Sequence, residues 1–105
     1  MLPKVHRLTK SDEIKAVIRQ GKRLSSPLAT IHYFQGSSRA AFVTPKTLGD
    51  AVTRNLVRRR AREIVRGHLA SLKDYDLVVR LHPASAESTF GDLESALVSA
   101  LEKLS

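Results

Sequence analysis

The sequence predicts an α+β fold in the order αββαβα, a small mixed β-sheet with helices packed against it. Three observations carry this expectation. Apolar residues recur at helical spacing in three segments: one ahead of Gly21, one over residues 51–72, and one over residues 90–104. Three short runs at residues 28–35, 39–44 and 75–82 are rich in strand formers. The last two of these runs flank the central helical segment, and strands joined through a helix run parallel.

The elements follow in order. Thr9 or Ser11 is placed to cap the first helix, with Asp12 and Glu13 in the first turn, where the dipole favours acid. Ile14, Val17 and Ile18 form its apolar stripe, and Gly21 is placed to end it. A Ser-Ser-Pro turn leads into residues 28–35, with Thr30, Ile31, Tyr33 and Phe34. Gly36-Ser37-Ser38 is a turn signal before residues 39–44, so these two strands are expected to form a hairpin. Residues 45–50 make a loop, with Gly49 just before the central helix. That helix is amphipathic: Val57, Ala61, Ile64, Val65, His68 and Leu72 share one face. Val52 and Leu56 fall off the stripe, so they need a second packing surface or lie exposed. In the third strand Leu77-Val78-Val79 is apolar without a break, which suits burial on both faces, and Pro83 closes it. The last helix offers Phe90, Leu93, Leu97, Ala100, Leu101 and Leu104 to the core. With no repeat and no linker, residues 1–105 read as one domain.

Charge narrows the function. Lys and Arg number 18 against 10 Asp and Glu, a net charge of +8. Such a field draws polyanions but says nothing about fold. Apolar runs are too short to span a bilayer, and aromatic residues are too few for an interfacial anchor. There is no cysteine, hence no disulfide framework and no thiolate metal site. The first residues, MLPKVHRLTK, lack the apolar stretch of a secretion signal, and a soluble cytoplasmic protein is expected.

The positive charge concentrates in residues 53–66, TRNLVRRRAREIVR, where six arginines are opposed only by Glu63. Arg54, Arg58 and Arg62 stack four apart, with Asn55, Arg59 and Arg66 on the adjoining surface. Like charges at that spacing repel, and a polyanion relieves the repulsion. Guanidinium suits phosphate because it presents a planar fork of donors. Nucleic-acid binding is therefore expected.

Other chemistry is poorly supported. His6, His32, His68 and His82 lack metal-ligand spacing, and no protein-held metal is expected. Asp74 and Asp76, one residue apart, either share a magnesium ion or introduce a strand, the commoner role. No serine sits in a nucleophile elbow and no glycine loop resembles a phosphate cradle. A structural RNA-binding protein of ribosomal or assembly type explains the charge equally well. A DNA-reading module does not fit, because a strand and loop precede the arginine helix where a partner helix is required.

Residues 46–63, KTLGDAVTRNLVRRRARE, resemble the signature of the bacterial ribonuclease P protein component, in essence K-x-G-N-A-V-x-R-N-R-x-K-R-x-x-R-E. The match extends to Arg7-Leu8, to Gly21 and to the strand ending in His82-Pro83-Ala84. The resemblance implies a small subunit that binds a large catalytic RNA, the pair removing the 5′ leader from precursor tRNA. It implies that Mg2+ sits at the RNA active site, with no cofactor and no catalytic residue on the polypeptide, which strengthens metal binding indirectly. It also implies a left-handed βαβ crossover, against the general right-handed preference. By position, Arg54, Asn55, Arg58, Arg59 and Arg62 correspond to RNA-contacting residues, and Arg66 extends the same surface. Ile14, Ile18, His32, Lys46, Arg80 and His82 correspond to residues lining the leader cleft.

Departures from the pattern are informative. Leu56 stands where the family has the second arginine of its R-N-R triplet, and Asp50 where it has asparagine. Ile14 and Ile18 replace typical phenylalanines, and His32 a typical tyrosine. Base stacking on an aromatic ring contributes about 1–3 kcal/mol per base. Aliphatic side chains lack that π-face, so weaker or less base-selective leader binding is expected here.

Overall fold

A computed structural model describes residues 7–68 and 74–104. Helix α1 spans Ser11–Gln20, followed by strands β1 (Lys22–Ser25), β2 (Ala29–Gln35) and β3 (Arg39–Val43). A short 3-10 turn, Lys46–Leu48, precedes helix α2 (Ala51–Arg66). Strand β4 (Tyr75–Leu81), a second 3-10 turn (Pro83–Ala86) and helix α3 (Phe90–Glu102) complete the order.

The α+β class holds, but the order is αβββαβα, with one more strand than the sequence suggested. The added strand, β1, reads KRLS and only Leu24 in it is partly covered. Four residues with one apolar member carry no alternation signal. It forms because the chain reverses at Gly21 and pairs antiparallel with β2, Arg23 opposite His32. Gly21 is required there by space: an added Cβ would strike the Tyr33 and Val17 carbonyl oxygens.

The expected hairpin does not form. The sheet order is β1-β2-β4-β3, with β4 inserted antiparallel to β2 and parallel to β3. The reason lies in β4 itself, whose Leu77, Val78 and Val79 are fully buried; a strand apolar on both faces takes an interior place. The turn residues serve β4 accordingly. Gly36 N–H donates to the Asp74 carbonyl at 2.9 Å, and Ser38 N–H, at a left-handed φ of 62°, to the Tyr75 carbonyl at 3.0 Å. The parallel relation across the central helix is as expected.

Alternation along the strands divides the sheet into unlike faces. On one, Ile31, Leu77, Val79 and Leu81 pack with Val57, Ala61, Ile64 and Val65 of α2 and Leu93, Leu97 and Leu101 of α3. On the other, Ala41 and Val78 join Leu8 and Val17, with Ile14 and Val43 against them. Helix α1 therefore covers the second face only in part.

Three smaller expectations change. Lys10 occupies the α1 N-cap with no side-chain bond, so neither Thr9 nor Ser11 caps it. Helix α2 stops at Gly67, leaving His68 in a turn, half-buried, and Leu72 outside the described residues. Phe90 is 41% exposed because it opens α3 before the buried stripe engages.

Candidate nucleic-acid interface

The arginine surface depends first on how α2 begins. Gly49 adopts φ 152° and ψ −165°, a region essentially closed to other residues. The turn leaves Asp50 as N-cap, where its carboxylate accepts from the Thr53 N–H at 2.8 Å. Bonds from the Thr53 backbone and hydroxyl hold the Asp50 carboxyl below the usual carboxylate range. Aspartate at this position is thus a cap that also complements the helix dipole.

At about 100° per residue, Arg54, Arg58, Arg62, Asn55, Arg66 and Arg59 follow one another across an arc of about 140°. Arg60 lies outside it. Among the described residues no carboxylate pairs with Arg54, Arg58, Arg59 or Arg62. Arg66 and Glu63 approach only to 3.8 Å, both about half exposed, a pairing that contributes little. Arg58 is oriented without losing charge: it donates to Thr44 Oγ1 at 2.6 Å and Asn55 Oδ1 at 3.2 Å. Arg54 Nε reaches the Asp50 carbonyl at 3.4 Å. The side chains of Val52 and Leu56, 77% and 36% exposed, lie beside them in one shallow depression.

The second surface is a groove of about 300 Å³ on the sheet face that α1 leaves open, lined in part by Arg23, Thr30, His32, Arg80 and His82. Register explains this grouping. His32 pairs with Arg23 on one side, and Thr30 with Arg80 on the other. Thr30 Oγ1 and His82 Nε2 lie 2.8 Å apart, fixing the His82 ring at the groove edge. His32 is buried, and burial lowers its pKa below the ordinary value, with the Arg23 and Arg80 charges acting in the same direction. The imidazole therefore stays neutral at neutral pH, keeping one nitrogen as donor and one as acceptor.

The predicted cleft residues do not form one cluster. His32, Arg80 and His82 come together as expected. Ile14 lies instead in a neighbouring groove with Arg7, Arg58 and Arg62, which joins the arginine surface to α1. Ile18 is 40% exposed on α1, and Lys46 opens the 3-10 turn while its neighbours Pro45 and Thr47 line the open groove. Arg23 and Thr30 were missed: Arg23 falls on the unrecognised strand, and Thr30 reads as an ordinary strand former. The basic Lys22-Arg23 pair just after Gly21 was the one available signal.

Asp76 is engaged elsewhere than at a metal. Buried at 5% exposure, it accepts from Arg39 Nη2 at 2.7 Å, Arg39 Nε at 3.3 Å and the Ser37 N–H at 3.1 Å. Arg39 also meets Glu13 at 2.8 Å, tying α1 to the sheet. Its pKa is raised by these bonds, the Asp76 one foremost. Asp74 contributes its carbonyl to Gly36. Among the described residues, no group of three or more His, Asp or Glu side chains is placed to hold a metal, and no helix is long and apolar enough to cross a membrane.

Together these features define a small mixed-sheet protein with a polybasic helix face beside a basic, half-covered sheet. The family model described as Ribonuclease P matches residues 2–105. The chain is 34% identical to the ribonuclease P protein component of Streptomyces griseus, over 99% of this chain and 95% of the relative. Over 89% of this chain and 82% of the relative it is 36% identical to that of Acidothermus cellulolyticus. The solved Staphylococcus aureus RNase P protein superposes with a TM-score of 0.88 at 20% identity, covering 95% of each chain. The Thermotoga maritima protein, in complex with a thiourea compound, gives 0.86 at 23% identity, covering 94% of this chain and 100% of that one. At those identities the structures speak to fold alone. The chain belongs to the family of ribonuclease P protein components, subunits of a tRNA-processing ribonucleoprotein nuclease.

Proposed function

We propose that this polypeptide binds the catalytic RNA of ribonuclease P and the 5′ leader of precursor tRNA, while the RNA cuts the phosphodiester. The observation that carries this reading is the arc of guanidinium groups on α2, in which Arg54, Arg58, Arg59 and Arg62 have no carboxylate partner among the described residues, and which is continuous with a groove at α1. Arg54, Asn55, Arg58, Arg59, Arg62 and Arg66 meet the folded RNA, whose phosphates offset the repulsion along the helix. The leader crosses the open sheet face past Arg23, His32, Arg80 and His82. There the cations neutralise phosphate, and the neutral His32 ring, buried along the groove, offers a nitrogen for hydrogen bonding. Ile14 in the neighbouring groove and Ile18 on α1 extend its path by apolar contact, and Lys46 adds charge next to Pro45 and Thr47. Magnesium ions belong to the RNA active site, and the setting is cytoplasmic.

The test is reconstitution. The chain alone should leave precursor tRNA intact. Mixed with the ribonuclease P RNA at limiting magnesium, it should accelerate leader removal, and more for a leader of several nucleotides than for one nucleotide. An equal effect on both leaders would contradict the cleft assignment; no effect at all would contradict the subunit role.

A further inference from the structure

Two of the exposed large apolar side chains lie on the arginine surface itself. Val52 and Leu56 are one helical turn apart, and they share a depression with Asn55, Arg58, Arg59 and Arg62. We infer that the Val52–Leu56 surface receives a single unstacked nucleobase of the RNA partner, held between those apolar side chains and the Arg59 guanidinium. This rests on the reading that the arginine face of α2 meets RNA, and it adds what that face recognises.

Size and charge select the occupant. A pair four residues apart spans about 6 Å along the helix, the breadth of one base and far short of a protein docking site. A second copy of this chain would bring its own arginines against these, which repel. Phosphate gains nothing from leucine, so the backbone goes to Arg58 and Arg62 at the other side of the arc. A base turned out of its helix presents an apolar face and a polar edge. The face fits Leu56 and Val52, and guanidinium planes stack on bases. The edge meets Asn55, whose amide oxygen is taken by Arg58 and whose amide nitrogen can donate. The leucine that interrupts the arginine run thus exchanges one phosphate contact for a base contact.

The experiment measures affinity of the full chain for the ribonuclease P RNA transcript at several salt concentrations, together with base-selective chemical probing of the complex. Leu56→Ala should weaken binding about fivefold (about 1 kcal/mol) at every salt concentration, leave the salt slope unchanged, and expose one unpaired base that the unaltered chain protects. Leu56→Arg should steepen the slope by about one contact and still expose that base. Both variants should keep the unaltered melting temperature, since Leu56 lies outside the core. Binding within twofold and an unchanged footprint in Leu56→Ala would overturn the base site. If Arg62→Ala still flattened the slope, the arginine face would survive that failure; if it did not, the reading beneath would fail too. A free-chain dimer lost on Leu56→Ala, with RNA affinity unchanged, would assign the patch to a second copy and equally overturn the inference.

Discussion

His32 shows how one side chain is tuned by two neighbouring strands. Burial and the charges of Arg23 and Arg80 all disfavour its imidazolium, so its folded pKa lies below the ordinary 6.5. The unfolded chain then binds more protons than the folded one just below pH 6.5, and stability must rise with pH through that window. The contribution is complete above the ordinary value, declines as pH falls towards the folded value, and is constant below it. Urea midpoints should drop on acidification from pH 7 to pH 5, and His32→Asn should show a shallower drop. Parallel curves would mean that the ring titrates normally. Asp76 makes a similar point about buried charge. Asp76→Asn keeps the shape but loses half the acceptor capacity facing Arg39 and Ser37, and it should cost about 1–3 kcal/mol by chemical denaturation. A change below 0.5 kcal/mol would show that the clasp between α1 and the sheet is incidental.

At the level of elements, long periodic patterns were legible and short ones were not. The stripe of Val57, Ala61, Ile64 and Val65 repeats over about two and a half turns, and all four residues are buried as expected. The continuous apolar run of β4 announced its burial. What it did not announce was its position, because sheet order depends on contacts between residues distant in the chain. The Gly36-Ser37-Ser38 turn looked like a hairpin turn, yet its N–H groups bond to residues 74–76. Strand β1 has too little apolar content to signal itself and exists through its pairing with β2. Gly67 was the missed stop: with Arg66 in the last turn, it matches the usual end of a helix.

For the whole molecule, the unequal covering of the sheet matters most. Helices α2 and α3 bury one face, while among the described residues α1 and Leu8 cover only part of the other, which leaves the groove beside them open. Site residues on α2 could be read from sequence because one helix carries them all. The groove could not, because β1, β2 and β4 each contribute a residue or two, and only their register brings Arg23, His32 and Arg80 together. Ile14, expected to line the same cleft as His32, lines a groove with Arg58 and Arg62. Arg62 lines both the depression on α2 and that neighbouring groove, so it sits where the basic surface turns from helix to sheet. The most direct test is the salt dependence of affinity for the ribonuclease P RNA, compared between the unaltered chain and Arg62→Ala. Counterion release predicts weaker binding and a log–log slope shallower by about one phosphate contact in the variant. An identical slope and affinity would mean that this guanidinium never reaches the phosphate backbone, contradicting the account at its centre.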